Sequence, residues 1–219
     1  MNYNVRQFKA DMNTEHASGK RVPEGIRVVL EELPDSLGCQ ESDWGWTVGM
    51  GIGLAAEYDC VQVGRDAAGA IGESCAIYYR FKKFRLLDCG TFWLSETPEK
   101  PSYGWDAACR RVCSWVILKD KETGREYVHL NSHFDHVGVT ARRESVKMII
   151  EKSQQYKDIP AVFTADMNVK EGSENYKQFT ESGIFRDAKY DAPDTMNYCT
   201  FHATSPETHT DDVIDYVMI

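Results

Sequence analysis

Apolar residues recur along the chain at two spacings, and the switch between them marks out its elements. Val22, Ile26, Val29, Leu30 and Leu33 fall on one face at the helical period. Pro23 stands near the start of that run and Pro34 just beyond it, which predicts a helix between them. Before it, Met1–Arg6 reads as the last part of a strand and Gln7–Lys20 as a polar loop. After it, Ser36–Gln40 reads as a short buried strand that delivers Gln40 and Glu41 to its C-terminal end. Asp43–Tyr58 combines helix-compatible spacing with four glycines and reads as a loose helix or loop.

From Asp59 onward the period of two takes over. Cys60–Val63, Ser74–Tyr79 and Phe84–Leu87 are predicted strands. Thr91–Ala108, with Trp93, Pro98, Pro101, Tyr103 and Trp105, keeps no period and reads as a long ordered loop. Val112–Lys119 and Glu126–Asn131 form a predicted hairpin around Glu122-Thr123-Gly124. In its second arm Tyr127 and His129 share one face, and Val128 and Leu130 the other. A helix follows from Thr140, a capping candidate, to Tyr156, with Val146, Ile149 and Ile150 on one side. Pro160–Thr164 is a further buried strand running up to Asp166-Met167-Asn168, and Gly172-Ser173 caps a short helix through Phe179. Tyr198–His202 and Val213–Ile219 are the last two strand candidates. Without repeats or composition breaks, residues 1–219 read as one α+β domain, most simply two packed sheets with helices outside.

Composition narrows what such a domain does. The chain has 219 residues, a hydrophobic share of 42% and a formal net charge of −9. That charge argues against a surface for gripping long nucleic acid, which needs many phosphate-neutralising cations. No run approaches the roughly 18 apolar residues of a membrane span, and Met1–Arg6 lacks the apolar core of a secretion signal. The seven cysteines form no CxxC motif, and an odd number cannot pair fully within the chain. Most of them, Cys75 and Cys89 included, fall in apolar runs, so buried free thiols are expected, which favours a reducing, cytoplasmic compartment.

The candidate chemistry lies at strand ends. Asn131-Ser132-His133-Phe134-Asp135-His136 places two histidines and an aspartate on the expected connection between a strand and a helix. Asn4, Glu41, His133, Asp166, Asn168 and Asp215 each follow or interrupt a short apolar run, and a sheet gathers such ends on one rim. Carboxylates with carboxamides are hard-oxygen chemistry, suited to Mg²⁺ or Mn²⁺. Taken singly, each of these residues is also an ordinary turn cap.

Tyr3-Asn4-Val5-Arg6, Gln40-Glu41, Ser132-His133-Phe134-Asp135-His136, Thr164-Ala165-Asp166-Met167-Asn168 and Ile214-Asp215-Tyr216, in that order, resemble the endonuclease/exonuclease/phosphatase superfamily with its deoxyribonuclease-I-like fold. Gly90-Thr91-Phe92-Trp93-Leu94-Ser95-Glu96-Thr97-Pro98 is similar to a bacterial branch of it. The resemblance implies a four-layer α/β/β/α sandwich of mostly antiparallel sheets and a divalent-metal-dependent phosphoesterase. Glu41, helped by Asn4, would hold Mg²⁺ or Mn²⁺. His133 would contact a non-bridging phosphoryl oxygen, Asp166 would orient or deprotonate the attacking water, and Asn168 would position that water or the phosphate. Asp215 resembles the carboxylate that orients a catalytic histidine. His136 is assigned a substrate-side role, and Arg142 is a candidate for an anionic group on the substrate. The implied substrate is a small-molecule, sugar, lipid or short nucleic-acid phosphoester. The family pattern continues past Ile-Asp-Tyr to a Ser-Asp-His segment, and His202 and His209 do not match it. The expectation is therefore a family fold that lacks its terminal strand and has an incomplete site.

Two rival readings start from the same residues. Asn131-x-His133-x-Asp135-His136 is one residue from the HxHxDH zinc signature of metallo-β-lactamase-like hydrolases. That reading expects zinc on His133 and His136, and leaves Glu41 and the Asp166/Asn168 pair unexplained. The other is a catalytically incomplete module that binds phosphate or protein.

Overall fold

In the computed structural model, which describes residues 1–14, 16–66, 72–195, 199–201 and 212–219, two β-sheets pack face to face. The first contains β1 (Asn2–Asn4), β2 (Ser36–Ser42), β3 (Tyr58–Val61) and β4 (Ser74–Arg80) in the order β1-β2-β4-β3. The second contains β5 (Phe84–Trp93), β6 (Val112–Asp120), β7 (Glu126–His133), β8 (Ala161–Asp166) and β9 (Asp215–Met218) in that order. The β1–β2 and β7–β8 pairs are parallel and the others antiparallel.

Helices cover both outer faces. On the first sheet, α1 (Ser18–Glu32) and α2 (Trp44–Leu54) bury Val29, Trp46, Met50 and Leu54 against Leu37, Cys39 and Tyr78. On the second, α3 (Val139–Gln154) and α4 (Glu174–Thr180) bury Val146, Ile149 and Phe179 against Val128, Leu130 and Phe163. Alternation along β7 explains the layering: Val128 and Leu130 face the helices, while His129 and Asn131 turn inward between the sheets.

Several sequence expectations need correction. Asp43–Tyr58 contains a regular helix, α2, despite its glycines. Asp43 caps it, and a Cβ at Gly49 or Gly53 would stand 2.6 Å from Val22 or 2.3 Å from Ile26, so the glycines let α1 approach. Helix α1 begins at Ser18, inside the expected loop, which places Pro23 in its second turn. Thr140 does not cap α3. Gly138 holds that position, and Asp106 from the preceding loop accepts from the backbone N–H of Thr140 and Ala141 at 3.1 and 2.7 Å. Thr91–Trp93 extends β5 by pairing with Val112–Ser114, so the aromatic loop begins later than expected. His133 ends β7 rather than standing on the connection. Cys39, Cys75 and Cys113 are buried, but Cys89 is exposed because β5 is an edge strand; all seven cysteines are free thiols. Cys199–Phe201 carries no strand, and Tyr198, His202 and His209 lie outside the described residues. Among the described residues, no helix is long and apolar enough to cross a membrane.

Candidate active site

Strand register decides which polar residues meet. His133 at the end of β7 is the partner of Asp166 at the end of β8, and Asp166 is the partner of Asp215 at the start of β9. From the other sheet, parallel pairing sets Asn4 beside Gln40 and so next to Glu41. The result is a cleft of about 430 Å³ lined by Asn4, Glu41, His133, His136, Asp166, Asn168 and Asp215. Arg142 is not brought to it. That guanidinium donates from Nη1 to the Asp135 carbonyl at 2.9 Å and braces the turn after β7.

Within the cleft, Asn4 spans two carboxylates. Its Nδ2 donates to Glu41 Oε1 at 3.0 Å and to Asp166 Oδ2 at 2.9 Å, while its Oδ1 accepts from the Arg6 backbone N–H at 2.9 Å. Asn4 thus sets the spacing of Glu41 and Asp166, with its own oxygen turned to the backbone. Glu41 Oε2 accepts from the Gln7 N–H at 3.0 Å. Asp166 Oδ1 accepts from the Asn168 N–H, and Asn168 Nδ2 donates to the Phe134 carbonyl, both at 3.0 Å. Asp215 is held by Asn2 Nδ2 at 3.5 Å and by its own N–H to Thr200 Oγ1 at 3.1 Å. Among the described residues, no histidine bonds to Asp215.

The electrostatics divide into two groups. Burial, and then the Asp166 charge, push Asp215 up to about 7. Burial also raises Asp166, with the Glu41 charge adding to it, against the hydrogen bonds from Asn4 and Asn168. Three carboxylates therefore face one another without enough positive charge between them. Opposite them, burial and then Arg111 and Arg65 hold His133 well below the ordinary histidine range, so its imidazole is neutral. His133 Nε2 lies 3.5 Å from Asp166 Oδ2.

The sequence reading missed Arg111. It is 5% exposed, with Nη2 on His136 Nδ1 at 3.1 Å and Nε 3.5 Å from Asp135, while Nη1 has no partner among the described residues and the side chain lines the cleft. The signal was present: antiparallel pairing of the expected hairpin sets the start of β6 beside the end of β7, which brings the residue before Val112 to His133. Arg65, Glu73, Gln7 and Cys109 also line the cleft from segments that carry no motif.

Asp135 has a different task. Its carboxylate accepts from the N–H groups of Ala108, Cys109, Val137 and Gly138 at 2.7–3.1 Å. Burial alone would raise its pKa, but these bonds together hold it below the usual carboxylate range. Among the described residues, Cys109, Asp135 and His136 are the one group of three histidine, cysteine or acidic side chains whose donor atoms all lie within 4.8 Å of one another. It is a poor metal seat, since both Asp135 oxygens are already engaged and the Arg111 cation lies against Asp135 and His136. Glu41, Asp166 and Asp215 do not draw their donor atoms that close together. Their all-oxygen character, the raised pKa values of Asp166 and Asp215 and the Asn4 spacing nonetheless fit a hard divalent cation.

No protein-family model matches the chain, and no curated protein does. Among solved structures, an endonuclease/exonuclease/phosphatase family protein from Bacteroides thetaiotaomicron superposes with a TM-score of 0.94 at 35% identity, covering 99% of this chain and 80% of that one. The chain belongs to the endonuclease/exonuclease/phosphatase family. A mannosyl-6-phosphatase of Bacteroides thetaiotaomicron is equally similar, at TM-score 0.94 and 35% identity over 99% of this chain and 83% of that one. A family protein from Bacteroides vulgatus follows at TM-score 0.92 and 33% identity, with 99% and 84% covered. The deoxyribonuclease-I-like sandwich expected of this family is the fold observed.

Proposed function

We propose that this endonuclease/exonuclease/phosphatase family member is a Mg²⁺- or Mn²⁺-dependent phosphoesterase acting on a small phosphorylated compound. One observation carries the reading: the carboxylates of Glu41, Asp166 and Asp215, bridged in part by Asn4, share a cleft with a buried arginine, Arg111, whose Nη1 is unpartnered among the described residues. Glu41 would hold the cation, with Asn4 fixing its distance from Asp166. Bound there, the ion would polarise a phosphoryl oxygen and offset charge on the leaving group. Asp166 would orient the attacking water and take its proton, and Asn168, anchored on the Phe134 carbonyl, would position it. Neutral His133 and Arg111 would stabilise charge developing on the non-bridging oxygens.

Charge pairing inside the cleft supports a single phosphate. Arg6 is paired with Asp11 and Arg65 with Glu73, each at 2.6 Å, and the cleft guanidinium nitrogens buried without a partner among the described residues are Arg111 Nη1 and Arg65 Nε. A volume of about 430 Å³ suits one small molecule, and the net charge of −9 disfavours long nucleic acid. The similarity to a mannosyl-6-phosphatase makes hexose phosphates the first substrates to try.

The test is turnover of a panel holding hexose phosphates, a generic phosphomonoester and a generic phosphodiester, with Mn²⁺, with Mg²⁺ and with chelator. The expected result is metal-dependent release of phosphate, fastest from a monoester. Silence across the panel in both metals sinks the reading and leaves a phosphate-binding module. Activity restored by zinc alone favours the rival zinc chemistry.

A further inference from the structure

Glu41 has a left-handed backbone, with φ of 58°, a region that side-chain-bearing residues seldom occupy. It stands at a break in the β2–β4 ladder. Cys39 pairs with Ala76, but the next pair is Ser42 with Ser74, so β2 carries one extra residue there. Such a bulge re-aims a side chain, and here it turns Glu41 toward the cleft. The hydrogen bonds lost at the break are replaced from the opposite sheet. Asn131 on β7 donates its Nδ2 to the carbonyls of both Cys39 and Ala76 at 2.9 Å, one on each strand where the ladder opens. Its Oδ1 accepts from Gln40 Nε2 at 2.7 Å and from Thr164 Oγ1 at 3.0 Å, so the carboxamide uses its full capacity. Gln40 Nε2 also donates to Asn2 Oδ1 at 2.6 Å. Gln40, Asn131 and Thr164 are all 0% exposed. Gly38 makes the room, since a Cβ there would stand 2.0 Å from Thr164 Oγ1 and 2.6 Å from Asn131 Oδ1.

We infer that Asn131 and Gln40 are positioning residues for Glu41: a cross-sheet carboxamide lock that holds the β2 bulge open and so keeps the Glu41 carboxylate turned into the cleft. The inference rests on reading Glu41 as the cation-holding carboxylate. Asn131 ties down both strands of the bulge, and Gln40, the residue before Glu41, is tied to Asn131 and to β1. Without these bonds the buried carbonyls of Cys39 and Ala76 lose their Asn131 donor, and Glu41 has less to hold its unfavourable φ.

The test compares Gln40→Met and Asn131→Leu with a control, Thr164→Val, a near-isosteric change that removes the bonds to Asn131 and His129 but no hydrogen bond to either strand of the bulge. Two readouts are taken on folded protein: the Glu41 backbone angle, from a crystal structure or from backbone NMR couplings, and Mn²⁺ affinity by calorimetry. Loss of outer contacts to a ligand typically weakens metal binding by about 10–100-fold. The lock predicts a loss of that size in Gln40→Met and Asn131→Leu, with Glu41 φ turned negative. Thr164→Val should melt lower yet bind Mn²⁺ within about twofold of the parent protein. Should Asn131→Leu fail to fold, Gln40→Met decides, because it leaves Asn131 on both carbonyls. The lock is refuted by a folded Gln40→Met that keeps a positive φ at Glu41 and unchanged Mn²⁺ affinity, or by a Thr164→Val that loses affinity equally. Failure of the parent protein to bind Mn²⁺ would overturn the metal reading instead, and the φ of Glu41 in the variants would then decide the lock alone.

Discussion

The C-terminal ends of β7 and β8 are adjacent, each leads to a buried carboxylate, and the two do opposite things with it. After β7, Asp135 collects four backbone N–H groups and its pKa falls. At the last position of β8, Asp166 receives one backbone N–H and one carboxamide, faces Glu41 and Asp215, and its pKa rises. Burial is common to both, so it does not separate a structural carboxylate from a reactive one. Saturation does. An oxygen pinned by peptide groups ties chain together, while one left among like charges awaits a cation or a proton.

Substituting each carboxylate by its amide is the most forceful way to break this comparison. Asp166→Asn should lower kcat/KM by about 10³-fold, in the range of losing a general base. Its melting temperature above pH 7 should hold or rise, because an unfavourable buried charge is gone. Asp135→Asn should do the reverse. The amide keeps one oxygen for Ala108, Val137 and Gly138 but sets its NH₂ against the Cys109 N–H and Arg111 Nε, which should cost about 3 kcal/mol, a fall of about 6–12 °C for a chain of this size, with activity tracking the folded fraction. Equal melting temperatures for the two variants would erase the distinction.

Arg111 bonds Asp135 and His136 after β7 while its charge acts on Asp166 at the end of β8, so it sharpens the comparison at their border. Arg111→Met should raise KM for a phosphoester by about 10–100-fold, the loss of a charge-assisted bond or two, with kcat changed less. Arg111→Lys should recover part of that, since a lysine restores charge without the fork that reaches His136 and Asp135 together. A KM unchanged in both variants would remove Arg111 from the substrate site.

Opposite pKa shifts also imply opposite pH dependence. Asp135, depressed in the folded protein, contributes stability that is present above its unfolded pKa of about 3.9 and is lost as pH falls through the lower folded value. Asp215, raised to about 7, works the other way. Between about 3.9 and 7 the folded state holds more protons than the unfolded chain, so stability declines as pH rises through that window. A divalent cation among the carboxylates should offset the decline. At ten times its dissociation constant it should add about 1.4 kcal/mol at pH 8, or roughly 3–6 °C, and distinctly less at pH 5, where Asp215 is protonated. Melting curves with and without Mn²⁺ at the two pH values check this; an equal gain at both would place the ion elsewhere.

How much of this was legible in the chain depends on which interactions are local. Alternation and the helical period revealed the strands and α1, because each reports a face that must be buried. Strand ends revealed Glu41, His133, Asp166 and Asp215, because a sheet collects such ends on one rim. Helix α2 was obscured by its glycines, whose reason lies in Val22 and Ile26 of another helix. Asp135 reads in sequence like a ligand beside two histidines; its four peptide donors arrive partly from Ala108 and Cys109, and no local pattern announces them. Asn131 looked like a failed zinc ligand, and its partners Cys39 and Ala76 belong to the other sheet.

The smallest expected effect concerns Arg142, which the sequence reading offered to the substrate and the structure ties to the turn after β7. Its Nη1 meets a peptide carbonyl, that of Asp135, rather than the cleft. If Arg142 belongs with Asp135, Arg142→Met costs one hydrogen bond of about 1 kcal/mol, lowering the melting temperature by roughly 2–4 °C. KM should then stay within about threefold, as for a substitution outside the site. If the guanidinium swings to an anionic substrate, KM rises about tenfold or more while the melting temperature barely moves. Melting and KM thus shift in opposite proportions under the two assignments, and measuring both on one variant decides on which side of the Asp135/Asp166 divide this arginine stands.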